Sequence, residues 1–192
     1  MTRRILIVDG HPDPDPARFG HALADAYAAG AAAAGHEVRR VVVAELDFPV
    51  LRSRAAWTDE PLPPGLADAA AAIGWAEHLV FLYPLWLGDL PAYFKAFLEH
   101  VARPGIAFRY GEKRMEKLLH GRSARIFVTM GMPGLWYRLV YRAHSLKSFE
   151  RNILNFVGIA PVATCVVGTI EGSAPHRAEW LDRARAHGMA GD

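Results

Sequence analysis

Three segments of this sequence gather residue types that could do chemistry. The first reads Asp9-Gly10-His11-Pro12-Asp13-Pro14-Asp15-Pro16-Ala17-Arg18-Phe19-Gly20. It brings a histidine, an arginine and the free N–H groups of an incipient helix to one place, a set suited to a phosphate group. The plain alternative is a proline-stiffened turn with solvated aspartates. Neither the G-x-G-x-x-G fingerprint nor the Walker lysine motif follows the first strand, which argues against a Rossmann-type nicotinamide nucleotide or ATP in a P-loop. The second segment, Tyr83 to Ala92, sets Leu85, Trp86 and Leu87 in a loop, where they meet water unless a flat apolar ligand or a second subunit covers them. Its alternative is a loop packed under its own helix. The third, Thr129-Met130-Gly131-Met132-Pro133-Gly134-Leu135-Trp136-Tyr137, has glycines that admit close approach of a ligand. Tyr137 and, seven residues on, His144 are donors able to stabilise developing negative charge.

These loops need a scaffold that aims them at one point. Arg4 to Val8 is a continuous apolar, β-branched run, the pattern of a strand buried on both faces. Phe19, Leu23, Tyr27, Ala31 and Ala34 recur at helical spacing, and Gly35 is placed to end that helix. Val38 and Val41 to Val43 form a second strand, followed by a long proline-bearing connection from Glu45 to Pro64 and a short helix marked by Leu66, Ala70 and Ile73. A third strand, His78 to Tyr83, meets Pro84, and Pro91 opens a helix with a stripe of Phe94, Phe97, Leu98 and Val101. The fourth strand is Ala124 to Thr129. Ser145 is a candidate N-cap for a helix carrying Leu146, Phe149, Ile153 and Phe156. A fifth strand, Val162 to Val167, precedes a last helix through Leu181 and Ala184, with the final five residues expected to fray. Five apolar strands alternating with helices predict an α/β fold, one doubly wound parallel sheet covered on both faces, as a single domain over residues 1–192. In such folds the loops after strands one, three and four surround the ligand.

Composition narrows the function classes. The 192 residues carry 22 Lys and Arg against 20 Asp and Glu, without a basic run, which argues against a nucleic-acid or membrane-surface protein. Four apolar residues after the N-terminal arginines are too few for a signal peptide, and no stretch is long enough to span a bilayer. The lone Cys165, in an apolar run, reads as a small buried hydrophobe, and the chain as cytoplasmic.

The stretches ILIVDGHP, YPLWLGDLPAYFKAFLEHV, GIAF, TMGMPGLWY and ILNFVGI, in that order over residues 4 to 160, resemble the flavodoxin-like NAD(P)H dehydrogenase (quinone) family. That family includes quinone reductases, modulators of drug activity and ancillary subunits of potassium efflux systems. The resemblance implies a flavodoxin-like five-stranded sheet and a flavin, FMN rather than FAD, since the chain ends soon after its fifth helix; FAD remains possible. It implies a flavin phosphate at His11, Arg18, Phe19 and Gly20, and an isoalloxazine ring along Pro84, Leu85, Trp86 and Leu87 and against Thr129, Met130, Gly131 and Met132. Tyr137, with His144 as the nearby histidine, would stabilise charge on the flavin during hydride transfer. Trp86, Phe108, Tyr110 and Trp136 would wall the substrate pocket.

The first loop departs from the quinone-reductase pattern: it lacks their serine or threonine hydroxyl and has Gly20 at their usual asparagine, while Arg18 offers a charge-assisted replacement. The implied activity is two-electron transfer from NAD(P)H to a quinone-like acceptor, with no metal, in a homodimer with its site at the subunit boundary. Two other readings stand beside it. One is a flavodoxin-like regulatory subunit with little turnover. The other is a metal-dependent phosphoesterase starting from Asp9, His11, Asp13 and Asp15, for which His144 is the one further ligand in the later loops.

Overall fold

The computed structural model describes residues 1–112 and 114–192. Along the chain run β1 (Arg4–Asp9), α1 (Phe19–Ala33), β2 (Glu37–Val42), α2 (Arg54–Thr58), α3 (Ala67–Trp75), β3 (His78–Pro84), α4 (Ala92–Val101), β4 (Phe108–Tyr110), β5 (Met115–Lys117) and β6 (Ser123–Thr129). There follow α5 (Gly134–Leu139), α6 (His144–Ser148), a π-helical stretch (Phe149–Leu154), α7 (Asn155–Val157), β7 (Val162–Val167) and α8 (Ala174–Ala190). Five strands form one all-parallel sheet in the order β2-β1-β3-β6-β7, so the chain winds outward in both directions from β1.

The alternation of side chains along each strand divides the core into two layers. Leu6, Val8, Phe81, Tyr83, Ile126 and Val128 face α3, α4 and the α6–α7 segment. Ile5, Ile7, Val80, Leu82, Phe127 and Val167 face α1 and α8. Both sides of β1 and β3 are therefore apolar, which is why those strands read as unbroken hydrophobic runs. On the second face, α1 and α8 touch backbone to backbone: a Cβ on Gly188 would collide with the Tyr27 carbonyl, and one on Gly30 with the Arg185 carbonyl.

Several local expectations are corrected. Ser145 is not an N-cap: the helix begins at His144 after Ala143 in the left-handed region (φ 48°), and Ser145 lies buried inside it. The buried stripe beyond it is Leu146, Phe149, Leu154 and Val157; Ile153 packs half-buried against the same core as expected, but Phe156 does not, because the π-helical stretch inserts a five-residue step. Phe156 is left 42% exposed. The antiparallel β4–β5 hairpin and α2 had no expectation, being too short to show a period. Nor does the C-terminus fray: Arg3 donates to the Gly191 carbonyl (2.9 Å), the Tyr27 hydroxyl to the Asp192 carbonyl (2.9 Å), and Arg125 pairs with Asp192 (3.2 Å).

Candidate functional site

The carboxyl ends of β1, β3 and β6 are level, and their ladder continues one step into the loops. Gly10 N–H donates to the Leu82 carbonyl (2.7 Å), Leu85 N–H to Thr129 (2.8 Å) and Met130 N–H to Val167 (2.9 Å). With β2 on one side of β1 and β3 on the other, the connections leave on opposite faces and open a crevice at the switch point. A cavity of about 340 Å³ there is lined by His11, Asp13, Arg18, Phe19, Gly20, Pro84, Trp86, Thr129 and Ile170. The three loops singled out by residue type do converge. Asp13 and Ile170 were not among the flavin candidates; Ile170 lies in the loop after β7, outside the three segments.

The first loop is built around missing donors. Prolines at 12, 14 and 16 have no N–H, and two of the N–H groups that alternate with them are taken by carboxylates: Asp15 N–H donates to the Asp13 carboxylate and Ala17 N–H to the Asp15 carboxylate, each at 3.0 Å. Arg18 is held by the same acids, its Nε 2.8 Å from Asp13 and a terminal nitrogen 3.5 Å from Asp15. His11 Nδ1 faces both the Asp13 N–H (3.1 Å) and the Asp13 carbonyl (3.2 Å), so the backbone of Asp13 holds the ring in either tautomer. Burial, and then the neighbouring His21, lower the His11 pKa.

Beneath the loop lies a network that no spacing rule had signalled. His21, in the first turn of α1, places Nδ1 2.6 Å from the fully buried carboxylate of Asp9 and Nε2 2.9 Å from the Asp13 carbonyl. Both partners are acceptors, so both ring nitrogens must donate, which only the imidazolium can do. Burial opposes protonation of His21, yet these bonds outweigh it and its pKa is raised. Arg40, from β2, bonds the same Asp9 oxygen at 2.6 Å and pairs with Asp25.

The start of α1 completes the donor set. No side chain caps it, no acid sits in its first turn, and among the described residues the Phe19 and Gly20 amides have no backbone partner. A Cβ on Gly20 would come no nearer than 3.8 Å to the His11 ring, and Phe19 and Gly20 both line the cavity. A dianionic phosphate fits this cradle of two amides, Arg18 and His11. Trp86, whose ring stands edge-on to His11 at 5.9 Å, supplies a flat wall beside it. One group counts against the anion: the Asp13 carboxylate, which already occupies Arg18.

The remaining candidates fall elsewhere. Tyr137 is fully buried, its hydroxyl 2.8 Å from Ser145 Oγ and accepting Leu146 N–H at 3.2 Å. His144 is exposed, its ring bonded to the Tyr141 carbonyl at 3.0 Å. Successive left-handed residues Arg142 and Ala143 turn the chain so that Ser145, not His144, reaches Tyr137, and neither Tyr137 nor His144 lines the cavity. Phe108 is buried among Trp57, Tyr110 and Phe156 instead of walling the site, while Tyr110 and Trp136 are exposed outside it. Leu85 packs toward the core and Leu87 points into solvent. Met130 is buried, and Met132 half-buried with its carbonyl accepting Thr169 N–H; neither these two nor the exposed Gly131 lines the cavity.

A sequence profile of the flavodoxin-like fold family matches residues 3–188. The chain belongs to the flavodoxin-like family. Within it, the chain is 31% identical over 112 residues to the FMN-dependent NADH:quinone oxidoreductase 1 of Colwellia psychrerythraea, covering 58% of this chain and 54% of that protein. It is also 31% identical over 123 residues to the FMN-dependent NADH:quinone oxidoreductase of Bordetella avium, covering 63% and 59%. The chain thus spans about half the length of the curated relatives it matches. Among solved structures, the NAD(P)H:quinone oxidoreductase of Methanothermobacter marburgensis superposes with a TM-score of 0.82 at 24% identity over 100% of both chains. The FMN-dependent NADH-azoreductase of Bacillus anthracis in complex with FMN gives 0.72 at 16% identity, covering 100% of this chain and 97% of that one. At such identities the likeness establishes the flavodoxin-like fold alone.

Proposed function

We propose that this chain, one flavodoxin-like domain over residues 1–192, is an FMN-dependent NAD(P)H oxidoreductase that passes two electrons to a quinone or similar flat acceptor. The observation that carries the reading is the cavity at the switch point, where a phosphate cradle adjoins an aromatic wall. The printed activities of the curated relatives support it. FMN, when bound, supplies the hydride relay by which NAD(P)H, a proton and a quinone become NAD(P)⁺ and a hydroquinone. The chain's own residues bind and orient. The Phe19 and Gly20 amides and Arg18 hold the phosphate with His11 beside it, and Trp86, Pro84 and Thr129 border the ring. His21, pinned to Asp9, keeps the loop carbonyl of Asp13 in place.

The apolar side chains of Leu135, Trp136, Leu139, Val140 and Tyr141, each 40% exposed or more, support assembly as a homodimer through that face. Leu139→Glu should then shift the sedimentation of the purified protein toward the monomer. No helix among the described residues is long and apolar enough to cross a membrane. Together with the free, buried Cys165, this supports a cytoplasmic enzyme.

The phosphoesterase reading finds no support: the Asp9 carboxylate is turned to His21 and Arg40, and no group of three or more ligating side chains is placed to hold a metal among the described residues. The deciding test is titration of the purified protein with FMN, followed anaerobically by NADH. Saturable binding, with bleaching of the flavin bands that an added quinone reverses, is the expected result. Bound flavin with negligible turnover on every acceptor points to the regulatory reading, and failure to bind FMN or FAD at tens of micromolar overturns the flavoenzyme reading.

A further inference from the structure

Two more cavities share lining residues with the candidate site and with each other. The first, of about 420 Å³, shares Trp86 with the site and runs past Leu87, Leu90, Phe149 and Ile153. The second, also of about 420 Å³, shares Lys95 and Ile153 with the first and is walled by Leu51, Trp57, Leu98 and Phe156. Together they make a groove between α4 and the α6–α7 segment. Its α4 wall descends through Ala92, Lys95, Leu98, Glu99 and Ala102, ten residue steps or about 15 Å at the helical rise. That is close to the length of an extended decyl or dodecyl chain.

Lys95, where the two cavities meet, is neutralised by Glu99, and Arg54 and Asp89 are the other charged side chains of the lining. Lys95 Nζ lies 2.6 Å from the Glu99 carboxylate one turn on, so the ammonium has its partner on its own helix. The π-helical stretch shapes the opposite wall. By inserting a residue it turns Phe156 out of the core while Ile153 stays half-buried against it, and Phe156 settles edge-on to Phe108 at 5.3 Å with its outer part exposed. An open, largely apolar groove of this length, meeting the candidate site at Trp86, suits a hydrocarbon chain attached to the group that reacts there.

We infer that the groove from Trp86 through Ile153 to Phe156 binds the hydrocarbon tail of the acceptor, so that the substrate class is a quinone carrying an alkyl or isoprenoid side chain. The inference rests on the quinone-reductase reading. Each buried methylene strengthens the tailed acceptor's transition state relative to a bare quinone, and several together give a preference of tenfold or more in kcat/KM.

The experiment compares a benzoquinone with the same head bearing a decyl chain. The wild type should favour the decyl form at least tenfold, and Phe156→Ser and Leu51→Ser should erase most of that preference while leaving the bare quinone's kcat/KM within about twofold. A direct binding readout accompanies it: a quinone with a terminally brominated decyl chain should quench tryptophan fluorescence beyond the quenching by the unbrominated form. Trp57→Phe should abolish that excess, since Trp57 lines the groove's far end. Equal kcat/KM for both acceptors, or excess quenching that survives Trp57→Phe, overturns the tail groove and leaves the reductase reading standing. A change in oligomeric state of the Phe156→Ser and Leu51→Ser proteins also overturns it, in favour of a second copy seated there. Loss of turnover on both acceptors in the wild type would instead strike the reductase reading itself.

Discussion

His21 Nδ1 sits 2.6 Å from Oδ2 of Asp9, joining the first turn of α1 to the last residue of β1 directly beneath the phosphate cradle. The opposite ring nitrogen bonds the Asp13 carbonyl, so one imidazolium fixes strand, helix and loop together. Arg40 shares the same Asp9 oxygen, which makes that carboxylate the common anchor of two cations. The fully buried carboxylate leaves the loop's shape dependent on the protonation of its partner.

The folded-state pKa of His21 is raised, so its contribution is fully present below the unfolded value of about 6.5 and is lost as pH rises through the folded value. His21→Gln should cost about 2 kcal/mol at pH 6, the order of a charge-assisted hydrogen bond. The gap from wild type should narrow steadily toward pH 9. His11 carries the opposite sign: its lowered pKa makes the fold lose stability as pH falls below 6.5, and removing the His21 charge should relieve part of that. Urea denaturation of both proteins across this range measures the two effects, and a pH-independent gap would exclude the imidazolium.

Arg18 and Asp13 should act in opposite directions on FMN. Arg18→Ala removes the loop's one guanidinium from the cavity and should weaken FMN binding tenfold or more, the scale of a charge-assisted contact. Asp13→Asn removes a carboxylate that repels the phosphate and occupies Arg18, and should tighten binding several-fold. Fluorescence titration with FMN reads both. Tighter binding by Arg18→Ala would mean that the acids, not the phosphate, are its true partners.

Strands β1, β3 and β6 could be read from composition because burial on both faces demands continuous apolar runs. The three loops were legible for a related reason: a histidine, an arginine and a tryptophan at strand ends are expensive to hide. What escaped was geometry without a composition signature. His21 looks like any polar residue of a helical first turn until the fold brings Asp9 beneath it. The π-helical step that turns Phe156 outward breaks the 3.6-residue period silently, and the two left-handed residues before His144 redirect it away from Tyr137. Phe108 illustrates the converse, an aromatic residue correctly noticed but enclosed by Trp57 and Phe156.

The contact between α1 and α8 predicts a contrast between two glycines. At Gly188 a methyl group would run into the Tyr27 carbonyl, so Gly188→Ala should cost about 3 kcal/mol, the upper range for overpacking a rigid contact. At Gly74, near the end of α3, nothing lies within 4 Å of the added methyl. Gly74→Ala should therefore stabilise the protein by about 0.5–1 kcal/mol through the lower entropy of its unfolded chain. Thermal unfolding of the two single variants suffices, and equal effects would mean that the helices can slide apart.

Leu87 offers the sharpest link between strain and function. Trp86 and Asp89 exchange two hydrogen bonds at 3.0 Å around a two-residue turn, and both central residues have positive φ, 49° at Leu87 and 81° at Gly88. Such a turn prefers Asn-Gly; a leucine in the left-handed region costs about 1–2 kcal/mol, and this one is also fully exposed. Leu87→Asn should thus stabilise the fold by about 1 kcal/mol and raise Tm by about 2–4 °C. A strained, exposed leucine at the mouth of the α4 groove has a physical reason to persist if it covers the acceptor's first methylenes. The same variant should then lower kcat/KM for a decyl-bearing quinone several-fold while leaving FMN affinity unchanged. A more stable protein with undiminished turnover on that acceptor would leave the leucine's strain without a functional counterpart.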